Sequence, residues 1–555
     1  INALTLTPAL CALLLKNTHT EKHSESKKKS VSKRFFTAFN AGFHSLTDKY
    51  INSVRFLVKR KWMGAGLVLL TIVLAGWLMN RTTKSFVPME DDNFIVYSLT
   101  MPPGTGLDRT NATAEKIRKE LADVEAIDIV SSITGFNMLN NAAGPAYAMG
   151  FIKLKEQKDR GKINNIDVIQ GIISEKMNTI KEGSIMVFRF PPVDGYGVIS
   201  GAEIVLQDRM GKDPASLKAM ADEVIGKIMQ QEGVQFAYTM FRADFPQLEL
   251  EVDEDKAHQL GVDISSMLSS IQTYFAGDQS LNFIRFGKFY RVNVKADGVF
   301  RTDEEAFNEI FVRNDQGQMV PVKSMVTLNK VYGPESVNRY NLYNALTINV
   351  DAKPGYSNGA IMETLEKNVL NTLPGDYSYE WTGLSLEEKS SGNQATYILI
   401  LSLLFVYFLL AAQYESYLLP LSVLLSIPTG IIGAFLAVNA IGLDNNIYVQ
   451  VGLIMLIGLL AKNAILIVEF AVQRRKSGLS IPESALEGAK SRLRPIIMTS
   501  LAFIAGMIPL MFASGGTASG NKSISTGAAF GMLSGVVLGV VVIPILFMFF
   551  QYLQE

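Results

Sequence analysis

A lysine in the middle of a long apolar run is the position in this sequence with the most chemistry in it. Lys462 lies within VGLIMLIGLLAKNAILIVEFAV, residues 451–472, where a charged ammonium is costly unless it meets a polar partner or a water-filled cavity. Glu469 follows two helical turns later, about 10 Å along the axis, too far for a close ion pair. No other acid lies deep in an apolar run, so a charged Lys462 must take its counter-ion from another segment. The plainer alternative is that its side chain snorkels to an interface. Asn463 adds a second polar group at depth, which could equally bridge neighbouring helices. Arg492 and Arg494 precede Pro495, an order that suits the first turn of a helix. These two read either as aqueous anchors or as functional cations. Thr499 falls on a helix face similar to that of Arg492 and could line the same polar seam, or bond back to its own preceding turn. Such groups move protons or ions rather than make bonds. The 4 His and 1 Cys are scattered, with no nucleophile motif, metal-ligand spacing or phosphate loop among them. The Gly-rich ASGGTASGN (513–521) lacks the P-loop lysine pattern. No catalytic residue, metal or cofactor is therefore expected.

The elements that must hold these residues are transmembrane helices. Of 555 residues, 48% are hydrophobic and only 19% charged, which argues against a purely soluble chain. Lys+Arg 52 balance Asp+Glu 52, so no net charge draws the chain to nucleic acid. Between Ala395 and Val472 the only charged side chains are Glu415, Asp444, Lys462 and Glu469. Apolar runs at 62–79, 396–413, 418–439, 448–472, 495–512 and 524–549 can each cross a hydrocarbon core that needs roughly 20 residues of helix. The opening INALTLTPALCALLLK has no basic n-region and no cleavage site, so 1–15 reads as the end of a further transmembrane helix. Basic loops at 16–61, a linker, and at 474–494 are cytoplasmic by the positive-inside rule. That places Arg81–Asn393 outside. The Lys-rich 22–34 run could instead touch nucleic acid or lipid head groups, but beside a span orientation is the simpler reading.

The last span carries Gly527, Gly531, Gly535 and Gly539 at four-residue spacing. This predicts a smooth small-residue stripe along one helix face, letting another helix approach closely or slide.

The outer region repeats a strand, helix, strand order. FIVYSLTM (94–101), a helix over 110–124 and a strand near 127–133 form one unit; 148–155, 167–180 and 184–190 form a second. The order returns at 202–208, 213–231 and 234–241, and again at 346–352, 357–372 and 377–383. Four such units, two per subdomain, predict a pair of ferredoxin-like split-βαβ subdomains, with 245–335 inserted between the halves of the second.

GLLAKNAILIVEF (458–470), RLRPIIMTSLAF (492–503), SGNQA (391–395), AAQYES (411–416) and LTPALCALLLK (6–16) resemble the C-terminal half of resistance-nodulation-division (RND) transporters, closest to their hydrophobe/amphiphile efflux class. The resemblance covers essentially the whole chain. It implies half of a fold built from two parallel six-helix repeats, comprising the tail of the sixth span and the seventh to twelfth. It also implies a multi-pass inner-membrane protein with a large periplasmic domain: a porter subdomain at 80–198, a second at 199–244 and 336–390, a docking subdomain at 245–335, and five membrane helices over 395–550. The implied activity is proton-driven export of hydrophobic or amphiphilic compounds by a homotrimer working with a periplasmic adaptor, an outer-membrane channel and the surrounding lipids. No nucleic acid is implied, and the proton is the coupling ion. Lys462 matches the family lysine that pairs with proton-titrating aspartates of the fourth span, which lies in the other half; Asn463 stands beside it. Arg492 matches the arginine of the eleventh span and Thr499 its threonine. Phe136 and Phe151 match pocket phenylalanines, and Phe188 and Phe190 match the substrate path. Met138 departs from the pattern, standing where the family often has a further Phe; it keeps the pocket apolar and adaptable. By pattern alone, Phe188 and Phe190 would be strand core residues.

Two rival readings differ in chemistry. A related exporter of another substrate class, metal or lipid, is the first; a metal pump would want methionines or carboxylates along a pore, and the 22 Met are dispersed. A ligand-binding scaffold would have no use for a costly buried lysine.

Overall fold

The computed structural model describes residues 5–14, 31–139, 142–353, 355–391 and 394–555. Much of the 22–34 lysine run therefore lies outside the described residues. The chain opens with a short helix, α1 (Leu6–Leu14), and a long one, α2 (Val31–Lys59), followed by α3 (Lys61–Arg81). The interval read as a basic linker thus holds a 29-residue helix. Its apolar side carries Val54 and Val58, which pack with Ile481 and Met548.

The first α/β unit runs β1 (Phe94–Thr100), α4 (Leu107–Leu121), β2 (Ile127–Asn137), β3 (Ala142–Leu154), α5 (Ile166–Met177) and β4 (Ser184–Phe188). Its sheet has the order β2-β3-β1-β4 and is antiparallel at every pairing. β1 is central and buried on both faces. Ile95, Tyr97 and Leu99 face α4 and α5, while Val96 points the other way, against Phe188 and Met149. Gly150 is needed opposite Tyr97, because a Cβ there would stand 2.1 Å from the ring.

The second unit is split. Its first part is β5 (Ala202–Asp208), α6 (Pro214–Met229) and β6 (Val234–Thr239). An excursion follows through β7 (Phe245–Val252), α7 (Glu254–Gln259), α8 (Ile264–Phe275), β8 (Asp278–Arg285), β9 (Lys288–Val294), β10 (Phe311–Arg313), β11 (Met319–Pro321) and β12 (Val326–Gly333). β7 pairs with β12, and the excursion has its own core around Met267, Phe307 and Met325. The chain then returns as β13 (Asn338–Tyr340), β14 (Tyr343–Ala352), α9 (Asn358–Asn368) and β15 (Tyr377–Trp381). Here the order is β13-β14-β5-β15, with β6 also on β14. Ile204 and Leu206 face α6 and α9, so alternation turns Glu203, Val205 and Gln207 to the opposite face.

Helix α10 (Gly383–Ser391) leads back to the apolar bundle: α11 (Gln394–Tyr414), α12 (Leu419–Leu424), α13 (Pro428–Ile441), α14 (Ile447–Lys476), α15 (Ile481–Met511), α16 (Ala518–Ser534) and α17 (Val540–Gln554). Among the described residues six stretches are long and apolar enough to cross a membrane: 62–81, 397–414, 419–441, 447–476, 481–511 and 518–554. They match the six apolar runs in number and order.

Two details differ from the sequence reading. Pro495 is not in a first turn: α15 is a 31-residue helix that begins at Ile481 behind a Ser480–Glu483 capping box, with Pro495 in its interior. The capping box fixes the start because it satisfies free N–H groups that Pro495 leaves unaddressed. The glycine stripe is not smooth either, since Gly535–Gly539 forms a π-helical turn between α16 and α17. The wider turn rotates Gly539 away from the leucines of α14 and onto Thr429 of α13. The packing role of the stripe stands. Cβ atoms at Gly531 and Gly535 would lie 2.3 Å from Leu456 and 2.1 Å from Leu460, whereas Gly527 has only Val449 at 3.9 Å.

Two joints fasten the α/β region to the bundle. In one, Thr83 donates to Asp444, and the N–H of Ile447 donates to the carbonyl of Phe86 at 3.0 Å. In the other, the N–H groups of Gly515 and Gly520 donate to Gln157 and Glu90, both at 3.2 Å. Behind this second joint Arg160, 1% exposed, holds Asp91 through two 2.6 Å bonds.

Candidate functional site

The intramembrane residues divide into a buried pair and an outward face. Asn463 is 4% exposed, and its Nδ2 donates to Ser500 Oγ at 3.2 Å and reaches Met532 Sδ at 3.7 Å. It thus ties α14 to α15 and α16. Lys462 is one residue round the helix and exposed, in a stripe with Val451, Ile454 and Gly458. Among the described residues it has no ion pair or hydrogen bond. Thr499 is also exposed, and its hydroxyl donates to the carbonyl of Ile496 at 3.1 Å. Thr499 thus bonds back to its own preceding turn on the outward face, and Ser500, which the sequence did not mark, is the residue that meets Asn463. One residue is about 100° of helix rotation, enough to exchange the inner face for the outer one. Arg492 lies over the Phe470 ring at 4.7 Å, and its Nε is buried without a partner among the described residues. Arg494 instead anchors α2, donating to Asn40 at 3.2 Å and lying over Phe43. The outward faces of α14 and α15 thus present a lysine and a threonine on an otherwise apolar surface. Gly458 and Gly506 on these helices have nothing within 4 Å of a built Cβ.

The five residues expected to bind substrate come together. Phe136, Met138, Phe151 and Phe190 are half-buried around Phe188, which is 4% exposed, with Val198, Ile199 and Tyr238 completing the cluster. Phe190 stands 6.3 Å from Phe151 and 6.4 Å from Phe188, the latter edge to face, within the range where aromatic pairs attract. β4 ends at Phe188, so Phe190 projects from the loop beyond it. Phe188 is a core residue, as its strand pattern alone suggested, while its neighbours keep open faces.

Beside this cluster is a cleft of about 290 Å³ between the two α/β units. Leu139, Val198 and Ile199 line one side, Met240 and Phe241 another, and the outward face of the second sheet forms the floor. Tyr238, Asn349 and Glu203 stand side by side there, because Asn349 is in register with both. Burial pushes the Glu203 carboxyl up to about 7 and that of Asp351 to about 6. Sequence pattern could not mark Glu203: in AEIVLQD it alternates like any solvent-facing strand residue. No group of three or more His, Cys, Asp or Glu that could hold a metal occurs among the described residues.

A bundle of apolar helices carrying an α/β region with a cleft of mixed polarity beside an aromatic cluster is the architecture of a polytopic membrane transporter. The chain belongs to the AcrB/AcrD/AcrF family, whose model matches residues 1–551. It is 36% identical over 549 residues to the antibiotic efflux pump membrane transporter ArpB of Pseudomonas putida, covering 98% of this chain and 51% of that protein. It is also 36% identical over 546 residues to the toluene efflux pump membrane transporter TtgB of Pseudomonas putida, with 98% and 51% covered. The multidrug export protein AcrF of Escherichia coli is 34% identical over 555 residues, with 98% and 52% covered. The chain spans about half the length of these curated relatives.

Proposed function

We propose that this chain is the C-terminal half of a proton-driven exporter of hydrophobic or amphiphilic compounds, the inner-membrane component of a tripartite pump. The observation that carries this reading is Lys462, a cation at mid-membrane on an exposed apolar stripe. Such a group is tolerated only opposite polar or charged partners, so a second bundle bearing carboxylates packs on this face. A cation beside buried carboxylates lowers their pKa, and their protonation releases it. Asn463 and Ser500 then keep α14, α15 and α16 in register while Lys462 changes partner. Thr499 faces the same second bundle, and Arg492 supplies a fixed positive charge toward the aqueous end. Proton binding becomes a change in helix packing, which the two joints pass to the α/β region.

In this reading that region is periplasmic, and its two sheets are ferredoxin-like porter subdomains, with the split-βαβ order β2-β3-β1-β4 in the first and β6-β14-β5-β15 in the second, where β13 is an added fifth strand. Cargo enters the cleft and meets the open faces of Phe136, Met138, Phe151 and Phe190, which pack over the buried Phe188. The excursion over 245–335 docks toward an outer-membrane channel through a periplasmic adaptor. Its β8–β9 hairpin exposes Leu281, Phe283, Ile284, Phe286 and Phe289, an apolar surface suited to a second copy of the chain in a homotrimer. In everted vesicles of the assembled transporter, a lipophilic dye should be exported and should dissipate the pH gradient as it moves. Dye binding with no dependence on the gradient would instead mark a ligand-binding scaffold.

A further inference from the structure

Glu203 is an uncommon carboxylate. Its side chain lies between two loops, with Oε1 2.7 Å from where a Cβ on Gly197 would be and Oε2 2.5 Å from one on Gly383. Both glycines have left-handed backbones, at φ +101° and +57°, so the cradle excludes side chains by conformation as well as by space. Its backbone is pinned, since its N–H donates to Ser385 Oγ at 3.0 Å. The carboxylate itself receives no hydrogen bond or ion pair among the described residues. The charged and titratable groups facing it are Tyr238 from β6, Asp351 from β14, and Tyr340, Glu335 and Arg242 around the cleft. Glu335 already accepts from the Tyr147 hydroxyl, and Arg242, the one cation of the lining, donates to Asp244 at 3.2 Å. The cleft therefore offers an apolar side, formed by Val198, Ile199, Met240 and Phe241, a polar remainder that includes Thr239, Asn338, Asn349 and Thr382, and in Glu203 a lining carboxyl without a counter-ion.

We propose that Glu203 is the charge-selecting residue of the cleft, receiving the cationic group of an amphiphilic cargo and giving its proton to solvent as the cargo binds. This rests on the reading of the cleft as a cargo site. The apolar body would lie on Val198, Ile199, Met240 and Phe241 while the cation meets the floor. Burial holds the carboxyl near 7, so an arriving cation favours the ionised form and displaces a proton.

The test measures binding of rhodamine 6G, a cation, and N-phenyl-1-naphthylamine, which is neutral, to the full chain in detergent from pH 5.5 to 8.5. For the wild type, rhodamine affinity should rise roughly tenfold between pH 6 and pH 8, following the ionised fraction, while the neutral dye binds equally throughout. Glu203→Gln should weaken rhodamine binding by roughly 10- to 100-fold and flatten its pH profile, leave the neutral dye unchanged, and be partly rescued by Glu203→Asp. Calorimetry in two buffers at pH 7 should show about half a proton released per rhodamine bound. A flat wild-type rhodamine profile, or unaltered rhodamine binding in Glu203→Gln, overturns the proposal. If Glu203→Gln loses both dyes through misfolding, the wild-type pH profile and proton count still decide. A wild type that binds neither dye sinks the cargo-site reading itself, whereas neutral-dye binding with no role for Glu203 sinks this inference alone.

Discussion

Gly433 and Gly458 sit in neighbouring helices and differ only in what surrounds them. A Cβ at Gly433 would lie 2.2 Å from the Ser534 Cβ and 2.4 Å from the backbone oxygen of Phe530. Ordinary carbon contacts are about 3.5–4.0 Å, so Gly433→Ala must push α13 and α16 apart by roughly 1.5 Å. Backbone cannot yield as a flexible side chain would. Separation also strains the bond from Ser534 Oγ to the Thr429 carbonyl, 2.6 Å, and the contact of Gly430 with the Gly531 oxygen. Overpacking of this kind costs about 1–3 kcal/mol, and a lost interhelical bond in a membrane adds about 0.6 kcal/mol. The gain in helix propensity, about 1 kcal/mol, offsets only part. Gly458→Ala meets nothing within 4 Å and keeps that gain. The two identical chemical changes should therefore differ by about 2–4 kcal/mol. Unfolding of the full chain by sodium dodecyl sulfate in mixed micelles, followed by far-UV circular dichroism, should give an earlier midpoint for Gly433→Ala and an unchanged or later one for Gly458→Ala. Coincident midpoints would refute the close-approach argument. In the assembled transporter Gly458→Ala should become harmful, since the face beside Lys462 is then covered.

Removing Arg160 leaves the half-buried Asp91 without its cation, so Arg160→Ala should lower stability by about 3 kcal/mol, the lower end for a broken buried pair, and loosen the joint at Glu90 and Gln157. Limited proteolysis near residues 513–521 should detect this as faster cleavage. Glu388, half-buried beside the other joint, has its carboxyl pushed up from 4.5 to about 7 by desolvation, against opposing bonds from the N–H groups of Gly359 and Phe86. The folded protein then holds more protons than the unfolded chain between about pH 4.5 and 7, so stability falls as pH rises through that window. The full effect is bounded by roughly 3 kcal/mol. Glu388→Gln should flatten the dependence and be more stable than wild type at pH 8; thermal melts at pH 5 and pH 8 that change equally in both proteins would count against it.

The spans were legible because each is a continuous apolar run, and a bilayer imposes a length that composition alone can meet. The strands beside helices in the two α/β units were legible in place, though β3 begins at Ala142 rather than 148, and those of the 245–335 excursion were not read at all, since only the former alternate beside a helix with its own apolar stripe. Strand order was less so: β3 lies between β1 and β2, a pairing across distant segments that no local pattern encodes. The start of α15 went astray because Arg-Leu-Arg-Pro looks like a helix start, although the competing Ser480–Glu483 signal was also present in the sequence. That Ser500 and not its neighbour Thr499 meets Asn463 is a matter of one residue of rotation, which only the packing of α14 against α15 decides. Glu203 could not have been found, because its burial comes from Gly197 and Gly383, near and far in the chain.

The central claim is that Lys462 couples proton movement to export from an exposed position that another bundle must cover. The most direct measurement is gradient-driven dye export in everted vesicles of the assembled transporter carrying Lys462→Ala. The account predicts loss of export and of dye-dependent proton flux at unchanged membrane levels, with the packing of α14 on α15 intact because Asn463 and Ser500 are untouched. Wild-type export in that variant would contradict it.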